Sequence, residues 1–340
     1  MKRLFLILCS LNFSLSAATV DTNHSAALIS PNELSDWQQA QQALTAILSK
    51  KSGLAESKVA GTYTVDESYK AAIVRSYHER VPNQLAGDKQ WFNVIVDEEK
   101  MHQLMLSQRI PIWPERRGMV YVWMVEEHVD QPLAYAGDGS EAVYWLKKWL
   151  DVMGVPSQFY DADAEDLLTF RPQDVRYLNP DLIDYIQAEN DINMTLLVFV
   201  KHSSNGYSYR FGLSESEKSA VIKSLQFLDL AVGMKSLAGN VQNIMADEQR
   251  LYAEEFNNST IAVTINDIND ANNILKLMNY LDQHVLIDEY QINQLKSKQL
   301  NIMMRIKVLP ETFIKFVENE GFLRHQPLGI GRSLLFQWVQ

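Results

Sequence analysis

The chain has 340 residues, 31 of them basic and 42 acidic, for a formal net charge of −11, and 46% of its residues are hydrophobic. An acidic chain is a poor binder of nucleic acid, whose affinity comes mainly from neutralising phosphates, whereas the apolar content suffices for packed cores. After residue 18 no segment has the run of 18 apolar residues that a membrane-spanning helix needs.

The first eighteen residues divide into three parts. Lys2 and Arg3 are positive, the stretch from Leu4 to Leu11 is apolar apart from Ser10, and Ser14, Ser16, Ala17 and Ala18 are small. This is the pattern of a cleavable secretory leader. Ser16 and Ala18 fit the positions before a cut, so cleavage is expected between Ala18 and Thr19, with a cut after Ser16 as second choice. Cys9 does not read as a lipid-attachment site, because bulky Leu8 precedes it. Cleavage after Ala18 leaves 322 residues, removes the only cysteine, and leaves 29 basic against 42 acidic residues, a net charge of −13. Without disulfides, stability must come from packing. The expected address is the periplasm.

Three blocks follow the leader at 1–18. The first, 19–117, reads as an N-terminal α+β domain. Ser35 opens a helix with Gln38 in capping-box spacing, Trp37, Ala40, Leu44, Ile47 and Leu48 share a face, and Gly53 stops it. A second helix is expected over 67–80, a strand over 91–96 and a short helix over 98–107.

The second block, 118–257, reads as a central three-layer α/β domain. The continuous apolar run 119–125 is typical of a strand buried on both faces in a parallel sheet. Ser140 caps a helix with Ala142, Trp145, Leu146, Trp149 and Met153 on one stripe, ended by Gly154 and Pro156. Residues 181–188 read as helix and 195–200 as a second buried strand. Asn205-Gly206 then turns the chain into a strand at 207–213. Helical segments are expected across 219–256, weakened at Gly233 and Gly239.

The third block, 258–340, alternates as a strand through Ile261, Val263 and Ile265. It continues as a helix on Ala271, Ile274, Leu275, Met278 and Leu281, then strands at 285–295 and 300–308. A helix from Pro310 to Gly321 and a last strand through Leu334, Phe336 and Trp338 complete it. The order β-α-β-β-α-β is that of a ferredoxin-like unit. The fold class is therefore α+β in several blocks.

Two stretches carry a family resemblance. The run 43–48 (Ala-Leu-Thr-Ala-Ile-Leu) followed by Ser52-Gly53 resembles the first helix of an exported Gram-negative family catalogued as domain of unknown function 2066. Pro111, Trp113, Arg117 and Trp123 resemble that family's Pro-x-Trp segment, Arg and following strand, although Gly118 stands where the pattern has Pro. The block order is also similar to envelope accessory proteins such as the flagellar assembly protein T and the amino-terminal domain of TolB. The resemblance implies a periplasmic α+β protein and brings no activity, cofactor or catalytic residue.

Chemistry is sparse in the sequence. The histidines, at 24, 78, 102, 128, 202, 284 and 325, have no zinc-ligand spacing, so no metal or cofactor is expected. The acidic run Asp161, Asp163, Glu165 and Asp166 lacks the glycine and glutamate of a calcium loop. Gly329-Ile330-Gly331 is a lone Gly-x-Gly that reads as a turn, and no nucleophile motif occurs. One region stands out. The strand 119–125 runs into Glu126-Glu127-His128, and Asp138 and Ser140 flank the start of the next helix. Ligands in α/β sheets sit beyond the carboxyl ends of strands, and carboxylates with an imidazole can do acid-base work. Glu126, Glu127, His128, Asp138 and Ser140 are thus the candidate ligand or partner region, although such charges also mark where a buried strand meets water. Arg116-Arg117 beside Trp113 is a second, smaller candidate patch for an anion or a partner.

Two functions stay open. One is a non-enzymatic envelope module that docks onto another protein, without catalytic residues. The other is a periplasmic hydrolase or ligand-binding protein using the region after strand 119–125. A deep pocket around those residues favours the second, and a flat, apolar, exposed strand edge favours the first.

Overall fold

The computed structural model describes residues 17–82, 85, 87–160, 169–190, 194–215, 220–247, 249–252, 256–284, 286–296, 298–319, 321–327 and 333–339. The leader before Ala17, the acidic run 161–166 and the Gly-x-Gly at 329–331 lie outside the described residues. The chain is α+β, and Ala17–Asn257 and Asn258–Gln340 belong to separate compact units.

The first unit opens with β1 (Ala17–Thr19), β2 (His24–Ile29), α1 (Asp36–Ser52), α2 (Glu56–Thr62), a 3-10 turn at Glu67–Ala72, β3 (Ile73–Arg80), β4 (Gln90–Val96) and α3 (Glu98–Ser107). The start of α1 is set by Ser35. Its hydroxyl accepts from the Gln38 amide, and the Gln38 side chain accepts from the Ser35 amide at 2.9 Å. The helix ends at Gly53, where φ of 67° is cheap only for a residue without Cβ. Ala43, Leu44, Ile47 and Leu48 of α1 are buried against Ala27, Phe92 and Val94 of the antiparallel sheet β2-β4-β3. The helix expected over 67–80 is instead the 3-10 turn and β3. Ile73 and Val74 are β-branched and favour extended backbone, and β3 pairs with β4 along its whole length.

The chain continues through β5 (Arg116–Gly118), β6 (Val120–Glu127), β7 (Ala134–Tyr135), α4 (Glu141–Val152), β8 (Ser157–Phe159), α5 (Pro172–Tyr177), α6 (Pro180–Asn190), β9 (Met194–Ser203), β10 (Gly206–Glu215), β11 (Val221–Phe227) and α7 (Leu230–Asp247). Strand β5 pairs with β1, and β6 to β11 form a sheet in the order β11-β10-β9-β6-β7, with β8 also on β6. Strand β6 is parallel to β9 and β8, whereas β9, β10 and β11 are joined antiparallel. The sheet is therefore mixed, because the hairpin at Asn205-Gly206 reverses the chain where a crossover would be needed to keep it parallel.

Both faces of β6 are buried, as its unbroken apolar run implies. Val120, Val122 and Met124 meet Trp145, Leu146, Trp149, Leu237 and Val241 of α4 and α7. Trp123 and Val125 meet Val175, Leu182 and Ile186 of α5 and α6. Three layers result. The helix expected from 219 onward starts later, because Val221–Phe227 is a strand. Gly233 does not weaken α7 so much as make room: a Cβ there would overlap the Phe227 ring.

The division expected at 117/118 falls inside this unit. Trp91 of β4 lies in the same core as Trp145 and Trp149, with its ring 4.8 Å from that of Trp149. Arg117 fastens the region. It is 1% exposed, and it donates to Pro114 O at 2.7 Å, Gly154 O at 2.6 Å and Lys50 O at 2.8 Å. Its guanidinium lies 3.5 Å from the Trp113 ring centroid. Burial lowers its pKa from 12.5 to about 9. Its donors are spent on carbonyls, so the anion or partner patch expected at Arg116-Arg117 is, at Arg117, an internal clamp.

The second unit comprises β12 (Phe256–Asn266), α8 (Ala271–Gln283), β13 (Ile287–Lys296), β14 (Gln299–Val308), α9 (Pro310–Asn319), β15 (Leu323–His325) and β16 (Ser333–Trp338). The sheet order is β13-β14-β12-β16-β15. Ile261, Val263, Ile265, Ile302, Met304, Ile306, Phe313 and Phe336 are buried. The expected β-α-β-β-α-β order gains one strand. After α9 the chain forms the short edge strand β15 and turns back as β16, which runs parallel to β12. Among the described residues no helix is long and apolar enough to cross a membrane.

Candidate functional site at the end of the parallel strands

Strands β6 and β9 run side by side in the same direction, with Glu126 opposite Val200 and Glu127 opposite Lys201. Their carboxyl ends therefore finish together, and α4 begins over them at Ser140. Side chains alternate along a strand, so Glu126 and Glu127 part company. Glu126 turns towards α4. Glu127 turns to the opposite face, 2.9 Å from Arg176 of α5 and 3.7 Å from Lys201.

Glu126 is the centre of a small polar cluster and is itself 7% exposed. Its Oε1 accepts from the Ser140 hydroxyl, while Ser140 Oγ accepts from the Val143 amide at 3.3 Å as the cap of α4. Its Oε2 lies 2.7 Å from His202 Nε2 and 3.5 Å from His128 Nε2. The two imidazoles stack with centroids 3.9 Å apart, and the Tyr207 ring meets His202 edge-on at 5.2 Å. The side chain of His128 is 43% exposed, so the cluster opens to solvent on that side.

Of the five residues expected at this site, Glu126, His128 and Ser140 come together. Glu127 belongs to an ion-pair group on the other face, and Asp138 is exposed in the loop before α4. His202 was missed. Its signal was its place just past the second apolar strand, since adjacent parallel strands bring their carboxyl ends to one location.

The order of the groups limits the chemistry. In a nucleophilic triad the imidazole sits between hydroxyl and carboxylate and takes the hydroxyl proton. Here the carboxylate sits in the middle, hydrogen-bonded to Ser140 on one side and His202 on the other. Ser140 thus has no imidazole to take its proton, and its hydroxyl donates to the carboxylate directly. What the arrangement does offer is one carboxylate oxygen and two imidazole nitrogens mutually within 4.8 Å.

At the expected cleavage site, Ala18 and Thr19 lie in β1, paired with Arg117 and Arg116 of β5. No family model, curated protein or solved structure gives a significant match to this chain.

Proposed function

We propose that this chain is an exported envelope protein of the kind its family resemblance implies, and that it works by accepting an extended segment of another envelope protein onto its central sheet. The leader-like start supports export to the periplasm. The observation that carries docking is strand β11, which ends the sheet order. Val221, Ile222 and Leu225 are exposed on it, Ile222 at 51% and Leu225 at 45%.

Natural edge strands are defended by outward charges, proline or bulges. Here the only charged residue of the strand, Lys223, is half-buried and bonded to Asn240 Oδ1 of α7 at 2.7 Å. The exposed positions are Val221, Ile222, Ser224, Leu225 and Gln226. An undefended edge is a template for an added strand, with main-chain bonds giving affinity and alternate side chains giving specificity. Beside it, Arg176, Phe199, Arg210, Ser224 and Gln226 line a shallow groove able to take a side chain of the incoming strand.

The test is co-purification of the tagged full-length protein from periplasmic extract, wild type against Ile222→Lys/Leu225→Lys. Loss of one defined partner from the double variant at equal protein level is expected. Recovery of the same partner by both proteins would overturn the assignment of the edge.

A further inference from the structure

We infer that Glu126, His128 and His202 form a site for a divalent transition-metal ion, with Zn²⁺ the best fit. The donor set is one carboxylate and two imidazoles, the composition of open zinc sites that keep a fourth position for water or a ligand. All three ligand atoms lie within 4.8 Å of one another, and the two imidazoles, stacked with centroids 3.9 Å apart, must turn apart to aim both nitrogens at one ion. Zinc holds such donors at about 2.0–2.2 Å, which in a tetrahedron places ligand atoms about 3.4 Å apart. His128 Nε2 to Glu126 Oε2 is 3.5 Å. His202 Nε2 to Glu126 Oε2 is 2.7 Å, so the pair must open by about 0.7 Å on this tetrahedral geometry.

The surroundings suit an ion. Ligating carboxylates and imidazoles are held by hydrogen bonds and packing from a supporting layer. Ser140 binds the carboxylate oxygen that faces away from the histidines, and Tyr207 packs on the His202 ring. Glu126 stands on β6 and His202 on β9, both fixed in the sheet, whereas His128 lies just past the end of β6, at the solvent side. That gives two anchored ligands and an entry path beside the third. Mixed imidazole and carboxylate donors favour zinc, copper or nickel over calcium or magnesium, which select all-oxygen sets. The inference is independent of docking at β11.

The experiment is calorimetric titration of chelator-treated full-length protein with ZnCl₂. Wild type is expected to bind one ion per chain. His202→Ala and His128→Ala should each weaken binding more than tenfold. Ser140→Ala should weaken it about tenfold, the usual effect of losing a supporting hydrogen bond, and Asp138→Asn should leave it unchanged. Substituted Co²⁺ should give the visible bands of a tetrahedral centre in wild type and lose them in His128→Ala. Circular dichroism confirms folding. Should His202→Ala fail to fold, His128→Ala decides, since its side chain is substantially exposed. Absence of stoichiometric Zn²⁺ binding by wild type, or equal binding by wild type and His128→Ala, would overturn the site.

Discussion

Tyr69 is fully buried, and among the described residues its hydroxyl has no hydrogen-bond partner. Burial, with a smaller contribution from Asp66, pushes its pKa from 10.0 up to about 12. The sign follows directly. Above pH 10 the unfolded chain loses this proton while the folded protein keeps it, so stability present below pH 10 is lost as pH rises towards 12. Tyr69→Phe removes both the unmet hydroxyl and the titration. It is expected to be neutral or stabilising by about 1 kcal/mol at pH 8, and to show a shallower loss of stability between pH 9 and 11 in urea denaturation. Equal slopes for the two proteins would contradict this.

Arg117 behaves in the opposite way under substitution. Arg117→Ala strands several carbonyls and leaves a cavity beside Trp113. A loss of about 3 kcal/mol or more is expected in the same denaturation assay, and a loss under 1 kcal/mol would show that the clamp contributes little. At this scale the sequence was partly legible. Glu126, His128 and Ser140 were readable because they flank a strand end and a helix cap. The separation of Glu127 from Glu126 follows from strand alternation, a rule that needs only the knowledge of which face meets α4. His202, by contrast, is 76 residues away from Glu126, and only the parallel pairing of β6 with β9 joins them.

Elements with one clear apolar face were readable, and those lacking one were not. α1 shows its stripe, cap and terminating glycine in the sequence. Edge strands β3 and β11 carry exposed residues on both faces, so neither shows the alternation that marks a half-buried strand. The runs around them then pass for helix. The short strands β7, β8 and β15 are too brief for any period to register. Gly53 gives an element-scale test. Its φ of 67° and the Ala246 side chain at the position of an added Cβ both oppose substitution. Gly53→Ala should lower stability by about 2 kcal/mol or more, read as a fall in thermal midpoint. An unchanged midpoint would mean that α1 and α7 slide apart without cost.

For the whole molecule, the alternating patterns of the sequence restart near 258, where the second compact unit begins, whereas around 117/118 Trp91 and Ala46 share a core with α4 and α7. A fragment of residues 256–340 has its own sheet and buried core, and is expected to melt cooperatively with mixed α/β circular dichroism. A disordered spectrum would contradict an independent unit. Export is tested by amino-terminal sequencing of protein from osmotic-shock fluid. Thr19 is expected as the first residue, a start at Ala17 would correspond to the cut after Ser16 and keep β1 whole, and an intact Met1 would contradict a cleaved leader.

Docking at the β11 edge is tested most directly in living cells, with a photo-cross-linking residue placed singly at Val221, Ile222, Ser224, Leu225 and Gln226, and at the exposed Leu275 of α8 as control. Cross-links from the β11 positions to one extended segment of a single other protein, mapped by mass spectrometry and absent from Leu275, are the predicted result. Cross-links to a second copy of this chain, or none from β11 while the protein is folded and in place, would contradict it.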